Sequence, residues 1–390
     1  MLIFVTADAR RKSWPYFESL GHANIRAVDI PDGRSSEEIW QIFRTVAAAV
    51  QPGDTVVIDI THAMRFLPFL VFLFVSYLKF SGRGVLEAIY YGAVHYGPNN
   101  TIESASVVDL TEFAKMLEWI GAAEQFTRSG NGAPIAGLLD AQAENAYAAR
   151  DSNAGDALTE ASRIIEHVSR ALALNMPLEV SQAAWRLSET LPGLLARGAA
   201  FSQQMLVLGD AVRKEYARLG LSSTDVADRD VLIEIVWQQR SMAFTQFRRG
   251  ALYQAALLVH ETLVSAVMVH IGSLDITEYD QRDKIRRTLQ ILRRMRAAMA
   301  KNQDFVPNER TRHDLFDPEI SRWLQQLGEA SFSDQLARVY GRATKLRNKL
   351  AHCGFEGSVP HVLSSLSAQH RDELHEMAKA LGPLLRKLLP

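Results

Sequence analysis

Arg347, Asn348 and His352 lie close together near the C-terminal end of the sequence, in the pattern R-N-x-x-A-H. An RNA strand carries its own nucleophile, the 2′-hydroxyl. Its cleavage therefore needs only a proton-transfer group with a near-neutral pKa and a cation that stabilises the crowded phosphorane. His352 and Arg347 are side chains of these two types, and Asn348 is able to position His352 or a phosphate oxygen. The pattern fits metal-independent RNA cleavage, although the same spacing also arises by chance in proteins without that chemistry.

The spacing of the two candidate catalytic residues sets a geometric condition. Arg347 and His352 are five positions apart, so on one helix their side chains point about 140° apart around the axis. They converge if the helix ends near His352, where Gly354 is a typical C-terminal stop. They also converge if two copies of the chain meet across a dimer axis.

Other catalytic centres fit the sequence less well. Cys353 is the single cysteine, which excludes an intrachain disulfide framework and a multi-cysteine zinc site. Its neighbour His352 would point away from it on a helix, which weakens a thiol–imidazole pair. His260 and Glu261 begin an H-E pair, but Val264 stands where the zinc motif H-E-x-x-H needs its second histidine. The sequence therefore predicts no metal site.

A basic stretch surrounds the candidate catalytic residues. Residues 282–349 contain sixteen Lys or Arg and eight Asp or Glu, and five of the arginines lie close together: Arg286, Arg287, Arg293, Arg294 and Arg296. Such a cluster is able to attract phosphate groups beside a nuclease site. It is equally compatible with the solvated face of a helix.

A second set of polar residues follows the apolar stretch Thr55–Ile60, which predicts a buried strand. Asp59 and Thr61 are able to hold a loop backbone through side-chain hydrogen bonds. Thr61, His62 and Arg65 supply donors just before the start of a helix, where the dipole favours an anion. An ordinary strand-to-helix turn remains the alternative.

A similar position follows the first predicted strand, where Thr6, Ala7 and Asp8 begin a loop. Ligands bind open α/β sheets at the carboxyl ends of the strands, so both loops are candidates for ligand contact. Neither contains G-x-G-x-x-G or a P-loop, which excludes the common dinucleotide and nucleoside-triphosphate fingerprints.

The elements that would position these loops alternate along the first 120 residues. Such alternation predicts an α/β domain with a mostly parallel, Rossmann-like sheet. The predicted strands are Leu2–Thr6, Ile25–Ile30, Thr55–Ile60, Val85–Tyr91 and Ser106–Leu110. Helices are predicted at about 35–50 and 66–79. The second is apolar from Phe66 to Leu78, yet too short for a bilayer, which needs about 20 residues.

The remainder of the sequence, from about residue 121, predicts an all-α region. Helical patterns occupy about 135–149, 155–174, 179–196, 200–218, 231–248, 252–270, 280–300, 333–352 and 360–389. The formal net charge of −1 gives no global signal for a polyanion partner, so nucleic-acid binding needs a local patch. The single cysteine and an N-terminus that opens directly as a strand favour a cytoplasmic protein without a membrane segment.

These motifs in this order resemble the CRISPR-associated CARF–HEPN ribonucleases of type III interference systems. In the N-terminal half, the resemblance depends on the string D-I-T-H-A-M-R-F-L-P at Asp59–Pro68, and it continues in Ile89–Ala93 and Val108–Thr111. In the C-terminal half, it depends on Ala255–Glu261 and on R-N-K-L-A-H at Arg347–His352.

The resemblance implies a sensor half that binds a cyclic oligoadenylate, cyclic tetra-adenylate or cyclic hexa-adenylate, as an allosteric activator. The ligand would lie across the two-fold axis of a homodimer or higher homo-oligomer. Strand-end residues would contact it: Thr6, Ala7, Asp8, Asp59, Thr61, His62, Ala63, Arg65, Tyr91 and Gly92. The sequence departs from the family at the first loop, where relatives often carry a Gly-Thr-Gly-like turn and this chain has Thr-Ala-Asp.

For the C-terminal half, the resemblance implies a HEPN endoribonuclease that cleaves single-stranded RNA into 2′,3′-cyclic phosphate and 5′-hydroxyl products. Arg347, Asn348 and His352 would form its active site, and no cofactor would be required. The implied domains are a sensor at 1–120, a helical connecting region at 121–240 and the ribonuclease at 241–390.

Two alternatives use the same features differently. CARF domains fused to helical domains also serve in transcription regulation, but residues 121–240 show no convincing helix-turn-helix with a basic second helix. A HEPN toxin without small-molecule control is the other alternative, and the intact D-I-T-H-x-x-R loop argues against it.

Overall fold

The structure, a computed structural model, describes residues 1–61, 64, 66–98, 101–272, 275–351 and 362–389, with side chains in the last range described from residue 371. The chain divides into two compact units, Met1–Gly121 and Ala122–Pro390. The assignment of functions to 1–120, 121–240 and 241–390 stays a prediction.

The strands of the first unit form two described sheets. β1 (Leu2–Val5) pairs in parallel with β2 (Arg26–Asp29). The second sheet has the order β3-β4-β5, with strands at Asp54–Asp59, Gly84–Tyr96 and Ile102–Asp109. β3 and β4 are parallel, whereas β4 and β5 are antiparallel.

The prediction of an α/β unit is confirmed, but in place of one mostly parallel, Rossmann-like sheet the structure describes a parallel pair, β1-β2, and a mixed sheet, β3-β4-β5. The predicted strands Val85–Tyr91 and Ser106–Leu110 are parts of a longer hairpin, β4 and β5. Parallel neighbours need a crossover of about a dozen residues or more. β4 ends at Tyr96 and β5 begins at Ile102, so the connection is too short for anything but an antiparallel pair.

The helices of the first unit begin and end at residues with clear capping properties. They are α1 (Ala7–Lys12), α2 (Trp14–Ser19), α3 (Ser36–Ala49), α4 (Leu67–Ser81) and the first part of α5 (Thr111–Ser129), which continues past Gly121 into the second unit. Ser35 caps α3, since its side chain accepts a hydrogen bond from the Glu38 amide at 3.3 Å. Pro68 lies in the first turn of α4, and Gly82 closes that helix in the left-handed conformation.

The core of this unit lies on one face of β3 and β4. α3 and α4 cover the β3 side chains Val56 and Ile58, with Phe74 and Leu78 of α4 almost fully buried. α4 and α5 also cover Ile89 of β4. Val57, on the opposite face of β3, is 54% exposed. The alternation of β3 side chains therefore separates a covered from an open face.

The prediction of a helical second region is confirmed. Its helices are α6 (Ala133–Ala148), α7 (Ser152–Ala173), α8 (Pro177–Arg197), α9 (Gln203–Ala217), α10 (Arg229–Arg248), α11 (Leu252–Ile271), α12 (Tyr279–Met299), α13 (Glu309–Leu315), α14 (Pro318–Glu329), α15 (Ser333–Ala351) and α16 (Val362–Leu388). The predicted helices shift by a few residues, and α13 and α14 were not predicted. Both open with a side-chain cap, Asn308 and Asp317 respectively.

α11 is the central helix of the C-terminal half of this unit. It packs against α10, α12, α15 and α16. Among the described helices, only α11 is long and apolar enough to cross a bilayer by length and composition, and 72% of its apolar window is buried inside the protein. A core helix of a bundle has this same combination of length, hydropathy and burial.

Candidate functional site

The carboxyl end of β3 forms a compact turn against the middle of β4, at the start of the candidate ligand loop. The Asp59 carboxylate accepts a hydrogen bond from the Thr61 amide at 2.8 Å, and the Ile60 amide donates to the Tyr90 carbonyl at 3.0 Å. The Thr61 hydroxyl accepts a hydrogen bond from the Gly92 amide at 2.7 Å. The structure therefore brings together three predicted site residues, Asp59, Thr61 and Gly92.

Gly92 is required by this close approach. A Cβ atom at that position would lie 2.9 Å from Thr61 Cγ2 and 3.0 Å from Thr61 Oγ1. A larger residue would displace the Thr61 side chain and disturb its hydrogen bond with the Gly92 amide. The neighbouring predicted residue Tyr91 is 41% exposed, so its side chain is accessible beside this turn.

His62, Ala63 and Arg65 lie outside the described residues, but the segment after them is anchored. The Leu67 amide donates to the Met64 carbonyl at 2.8 Å, which starts the first turn of α4. Among the described residues, no side chain caps the N-terminus of α4. The Phe69 and Leu70 amides donate to the Phe66 carbonyl at 3.1 and 3.4 Å, and Pro68 has no amide hydrogen, so the described first turn leaves only the helix dipole to favour an anion.

The first predicted loop is corrected by the structure, because β1 leads directly into α1. Thr6 is the N-cap, and its hydroxyl accepts from the Ala9 amide at 3.3 Å. Ala7 and Asp8 lie in the first helical turn. Lys12 contacts Asp8 at 2.9 Å, and this hydrogen bond, together with Arg11, holds the pKa of the Asp8 carboxyl below its usual range.

The residues Thr6, Ala7 and Asp8 also do not share a sheet with the Asp59–Thr61 turn. β1 and β3 belong to different described sheets. α1 instead contributes a contact that the sequence did not predict. Arg10 binds the Asp29 carboxylate with two hydrogen bonds of 2.9 and 2.8 Å. An arginine four residues after an N-cap threonine gave no signal for a partner at the end of β2.

In the second unit, Arg347 and Asn348 lie in the last described turns of α15. Asn348 is exposed, whereas Arg347 is half-buried. The buried Nε of Arg347 has no hydrogen-bond partner among the described residues. His352 lies outside the described residues, so the structure does not test whether it converges with Arg347.

Beside Arg347 lies a cluster of charged and aromatic residues that the sequence reasoning did not assign. Glu261 of α11 accepts hydrogen bonds from Arg282 at 2.7 Å and from Arg286 at 2.9 Å, both on α12. Its other carboxylate oxygen lies 3.1 Å from Nδ1 of His260. The sequence did carry a signal for this cluster, namely the H-E pair inside an otherwise apolar helix. A charged side chain buried in such a helix needs a partner of opposite charge.

Tyr340 of α15 links this cluster to Arg347. Its ring packs 5.0 Å from the His260 ring, and its hydroxyl donates to the Arg286 carbonyl at 3.4 Å. Burial raises the pKa of Tyr340 to about 12, against the opposing charges of Arg286 and Arg347. Arg347 therefore lies within electrostatic reach of the cluster.

The ionisation of Glu261 follows from this arrangement. Burial disfavours the carboxylate, but hydrogen bonds from His260 and Arg282 and the charges of Arg282 and Arg286 outweigh it, so the pKa of Glu261 lies well below its usual range. His260 is 1% exposed, and its Nε2 has no hydrogen-bond partner among the described residues.

Most arginines of the predicted basic stretch are engaged inside the protein. Arg287 pairs with Asp283 and Asp314, each at 3.0 Å. Arg296 pairs with Asp334 at 3.4 Å, and Arg294 donates to the Thr311 hydroxyl at 3.1 Å. Together with the Arg286–Glu261 pair, these contacts tie α12 to its neighbours. The cluster therefore offers less charge to a phosphate than the sequence indicates.

The described residues contain no group of three or more His, Cys, Asp or Glu side chains that could hold a metal ion.

Comparison with known proteins adds a finding for the middle of the chain. Residues 115–206 match the family model described as the second domain of CRISPR-associated protein MJ1674. The chain is 31% identical over 111 residues to CRISPR-associated protein MJ1674 of Methanocaldococcus jannaschii. This alignment covers 28% of the chain and 17% of that protein, so the chain spans only a small part of the curated relative.

The matched segment runs from α5 to the start of α9 and includes the stretch Leu117–Asn131, which also contributes to the resemblance seen in the sequence. It contains neither the Asp59–Thr61 turn nor Arg347. The two matches support a CRISPR-associated protein.

Proposed function

We propose, starting from this similarity to a CRISPR-associated protein, that the chain is an endoribonuclease activated by a cyclic oligoadenylate. The first unit would be the CARF sensor, and the C-terminal helices would form the HEPN ribonuclease. The observation that carries the proposal is the joint presence of the Asp59–Thr61–Gly92 turn and Arg347 in one chain.

The geometry of the turn supports a ligand site. A cyclic oligoadenylate presents phosphates and adenine rings, and the turn leads to the N-terminus of α4, where the helix dipole favours an anion. Tyr91 offers an accessible aromatic ring beside it. His62 and Arg65 would add donors to the phosphates, since they lie in the same loop of the sequence.

The burial and hydrogen bonding of Arg347 support a role in binding a phosphate group. A half-buried guanidinium whose Nε has no partner among the described residues is costly unless an anion or water binds it. In the proposed reaction, the 2′-oxygen bonds to phosphorus while the bond from phosphorus to the 5′-oxygen breaks. His352 would transfer the proton, and Arg347 would stabilise the phosphorane. The products are a 2′,3′-cyclic phosphate and a 5′-hydroxyl.

An apolar stripe on α4 supports the proposed homodimer. Phe69, Leu73 and Phe80 are 76%, 62% and 93% exposed, and their spacing places them on one side of the helix. Large apolar side chains grouped in this way are typical of a protein interface. Because α4 begins where the ligand loop ends, a two-fold axis here would bring two copies of the loop together.

The test measures cleavage of a quenched fluorescent RNA, both without and with excess chelator, against cyclic tri-, tetra- and hexa-adenylate in turn. Strong activation by the tetra- or hexa-adenylate ring is the expected result. Absence of RNA cleavage with all three rings, in a protein that is folded and dimeric, would favour a regulatory binding protein instead. Equal cleavage without any ligand would favour the unregulated toxin, and complete loss of cleavage in chelator would point to a metal nuclease.

A further inference from the structure

A surface between α10 and α16 combines unpaired arginines with aromatic rings. The two helices run in opposite directions, because Arg371 packs on Phe247 while Arg240 packs beside Gly382. We call this surface the α10–α16 seam and define it by six residues: Trp237, Arg240, Phe244, Phe247, Arg371 and Arg386. It contains no residue of the candidate catalytic site.

The arginines of the α10–α16 seam differ from those of α12 in having no acidic partner in the part of the chain that the structure describes. Arg240, Arg371 and Arg386 form no ion pair among the described residues, whereas Arg286, Arg287 and Arg296 each do. The Nε of Arg240 is buried without a hydrogen-bond partner there. Burial and the neighbouring charge of Arg386 lower the pKa of Arg240. An anion placed between the two would relieve both penalties.

Aromatic rings hold the guanidinium groups of the seam in place. The Arg240 guanidinium carbon lies 4.8 Å from the Phe244 ring centre and 5.7 Å from the Trp237 ring centre. The Arg371 guanidinium carbon lies 5.7 Å from the Phe247 ring centre. Such stacking orients the donors before a ligand arrives, so less conformational entropy is lost on binding.

Glycine makes room for this arrangement. A Cβ atom at Gly382 would lie 3.0 Å from Nη2 of Arg240, so glycine lets the guanidinium approach the α16 backbone closely.

The length of the seam fits a strand rather than a single anion. Arg371 and Arg386 are fifteen positions apart on α16, which corresponds to about 22 Å along the helix axis. Trp237 is only half-buried, so part of its ring is accessible to a base. Stacked arginines interleaved with aromatic rings are the chemistry that recognises single-stranded nucleic acid without sequence preference.

We infer that the α10–α16 seam binds the phosphate backbone of single-stranded RNA and guides the substrate outside the active site. The choice of RNA rests on the proposed ribonuclease function. Arg240, Arg371 and Arg386 contact phosphates spaced along one strand, and Trp237 stacks on a base.

The test measures binding separately from cleavage. A fluorescent single-stranded RNA with 2′-O-methyl groups cannot be cleaved through its 2′-oxygen, and its binding to the full chain is followed by fluorescence anisotropy. For single strands, each phosphate contact contributes about −0.7 to the slope of log affinity against log salt. Replacing Arg240, Arg371 and Arg386 with Gln should therefore reduce the slope by about 2 and weaken binding about fiftyfold at about 0.15 M salt.

Two further variants control for folding and for total charge. Arg371→Gln with Arg386→Gln leaves the part-buried Arg240 intact and should weaken binding about fifteenfold. A charge-matched control replaces Arg197, Arg310 and Arg322, which are exposed and lie outside the seam, and should bind RNA like the unmodified chain.

The outcomes separate this inference from the proposed function. Unchanged binding by both seam variants, or equal weakening by the control, would overturn the seam as the RNA site. Binding of a poly-glutamate peptide in preference to RNA would overturn the choice of ligand. Loss of RNA binding in the seam variants, together with no ligand-activated cleavage by the unmodified chain, would leave the RNA site standing and remove the ribonuclease.

Discussion

Replacing Glu261 with Gln should destabilise the second unit more than any surface charge change. The Glu261 carboxylate is the shared acceptor for Arg282 and Arg286, and these three side chains are only 24%, 14% and 26% exposed. Glutamine has nearly the same shape but no charge. The substitution therefore leaves two arginines close together in a poorly solvated region without their anion.

The expected loss of unfolding free energy in Glu261→Gln follows from the cost of breaking a buried ion pair. Removing one partner of such a pair typically costs about 3–5 kcal/mol. The partial exposure of Glu261 and the remaining amide oxygen of Gln place this case at the lower end, about 3 kcal/mol. Glu319→Gln is the matched control, because Glu319 is 46% exposed and its partner Lys284 keeps a second acid, Asp317, at 3.2 Å. Glu319→Gln should lower the unfolding free energy by about 1 kcal/mol or less.

The stabilisation that Glu261 gives to the fold should decrease as the pH is lowered. The folded-state pKa of Glu261 is lowered from the ordinary value of 4.5, so its ionised form stabilises the fold fully above that value. This stabilisation is lost as the pH falls through and below it. The difference in unfolding free energy between the unmodified chain and Glu261→Gln should therefore be largest near neutral pH and shrink below pH 4.5.

Urea unfolding followed by circular dichroism at pH 7 and at pH 4 measures both effects. A loss below about 1 kcal/mol at pH 7 would refute the assignment of a buried ion-pair network. A large loss that stays constant between the two pH values would show that packing, rather than the charge of Glu261, is responsible.

Four other substitutions test the two candidate sites. Gly92→Ala should cost about 1–3 kcal/mol in urea unfolding, because its Cβ would meet the Thr61 side chain at 2.9 Å; full stability would show that the Thr61 side chain moves aside freely. Thr61→Val keeps the shape but leaves the Gly92 amide without its acceptor, and about 1–3 kcal/mol should be lost in the same assay. Arg65→Ala should raise the cyclic-oligoadenylate concentration needed for half-maximal cleavage, and an unchanged activation curve would place the ligand elsewhere. His352→Ala should abolish RNA cleavage while ligand affinity measured by calorimetry stays the same; normal turnover would exclude His352 from the mechanism.

Local patterns accounted for a large part of the fold. The alternation of strand and helix signals predicted the α/β unit, and the three-to-four-residue apolar period predicted the long helices of the second unit. Ser35 marked the start of α3 correctly, since a cap depends on residues only three positions apart. Asp59 and Thr61 were also identified as turn-forming residues, and the structure shows that hydrogen bond at 2.8 Å.

Short elements and strand pairing were harder to predict. α1 was taken for a loop because six residues carry too little periodicity to show a helix. The antiparallel direction of β5 was missed because apolar alternation is the same in both directions of a strand. Only the short connection after Tyr96 shows that β5 must run antiparallel to β4. That connection is recognised as short only when the end of β4 is known.

The sequence by itself determined which residues could do chemistry: Arg347 and His352 for a phosphodiester, and Thr61 and its neighbours for an anion at a strand end. Tertiary structure alone decided which charges are available, because ion pairs form between helices whose contacts lie far apart in the chain. Glu261 neutralises Arg286 across 25 positions, whereas Arg240 lies within electrostatic reach of Arg386 and neither forms an ion pair with a described acid. A count of charges along the sequence treats these arginines alike, whereas helix packing leaves some of them paired and others open to a ligand.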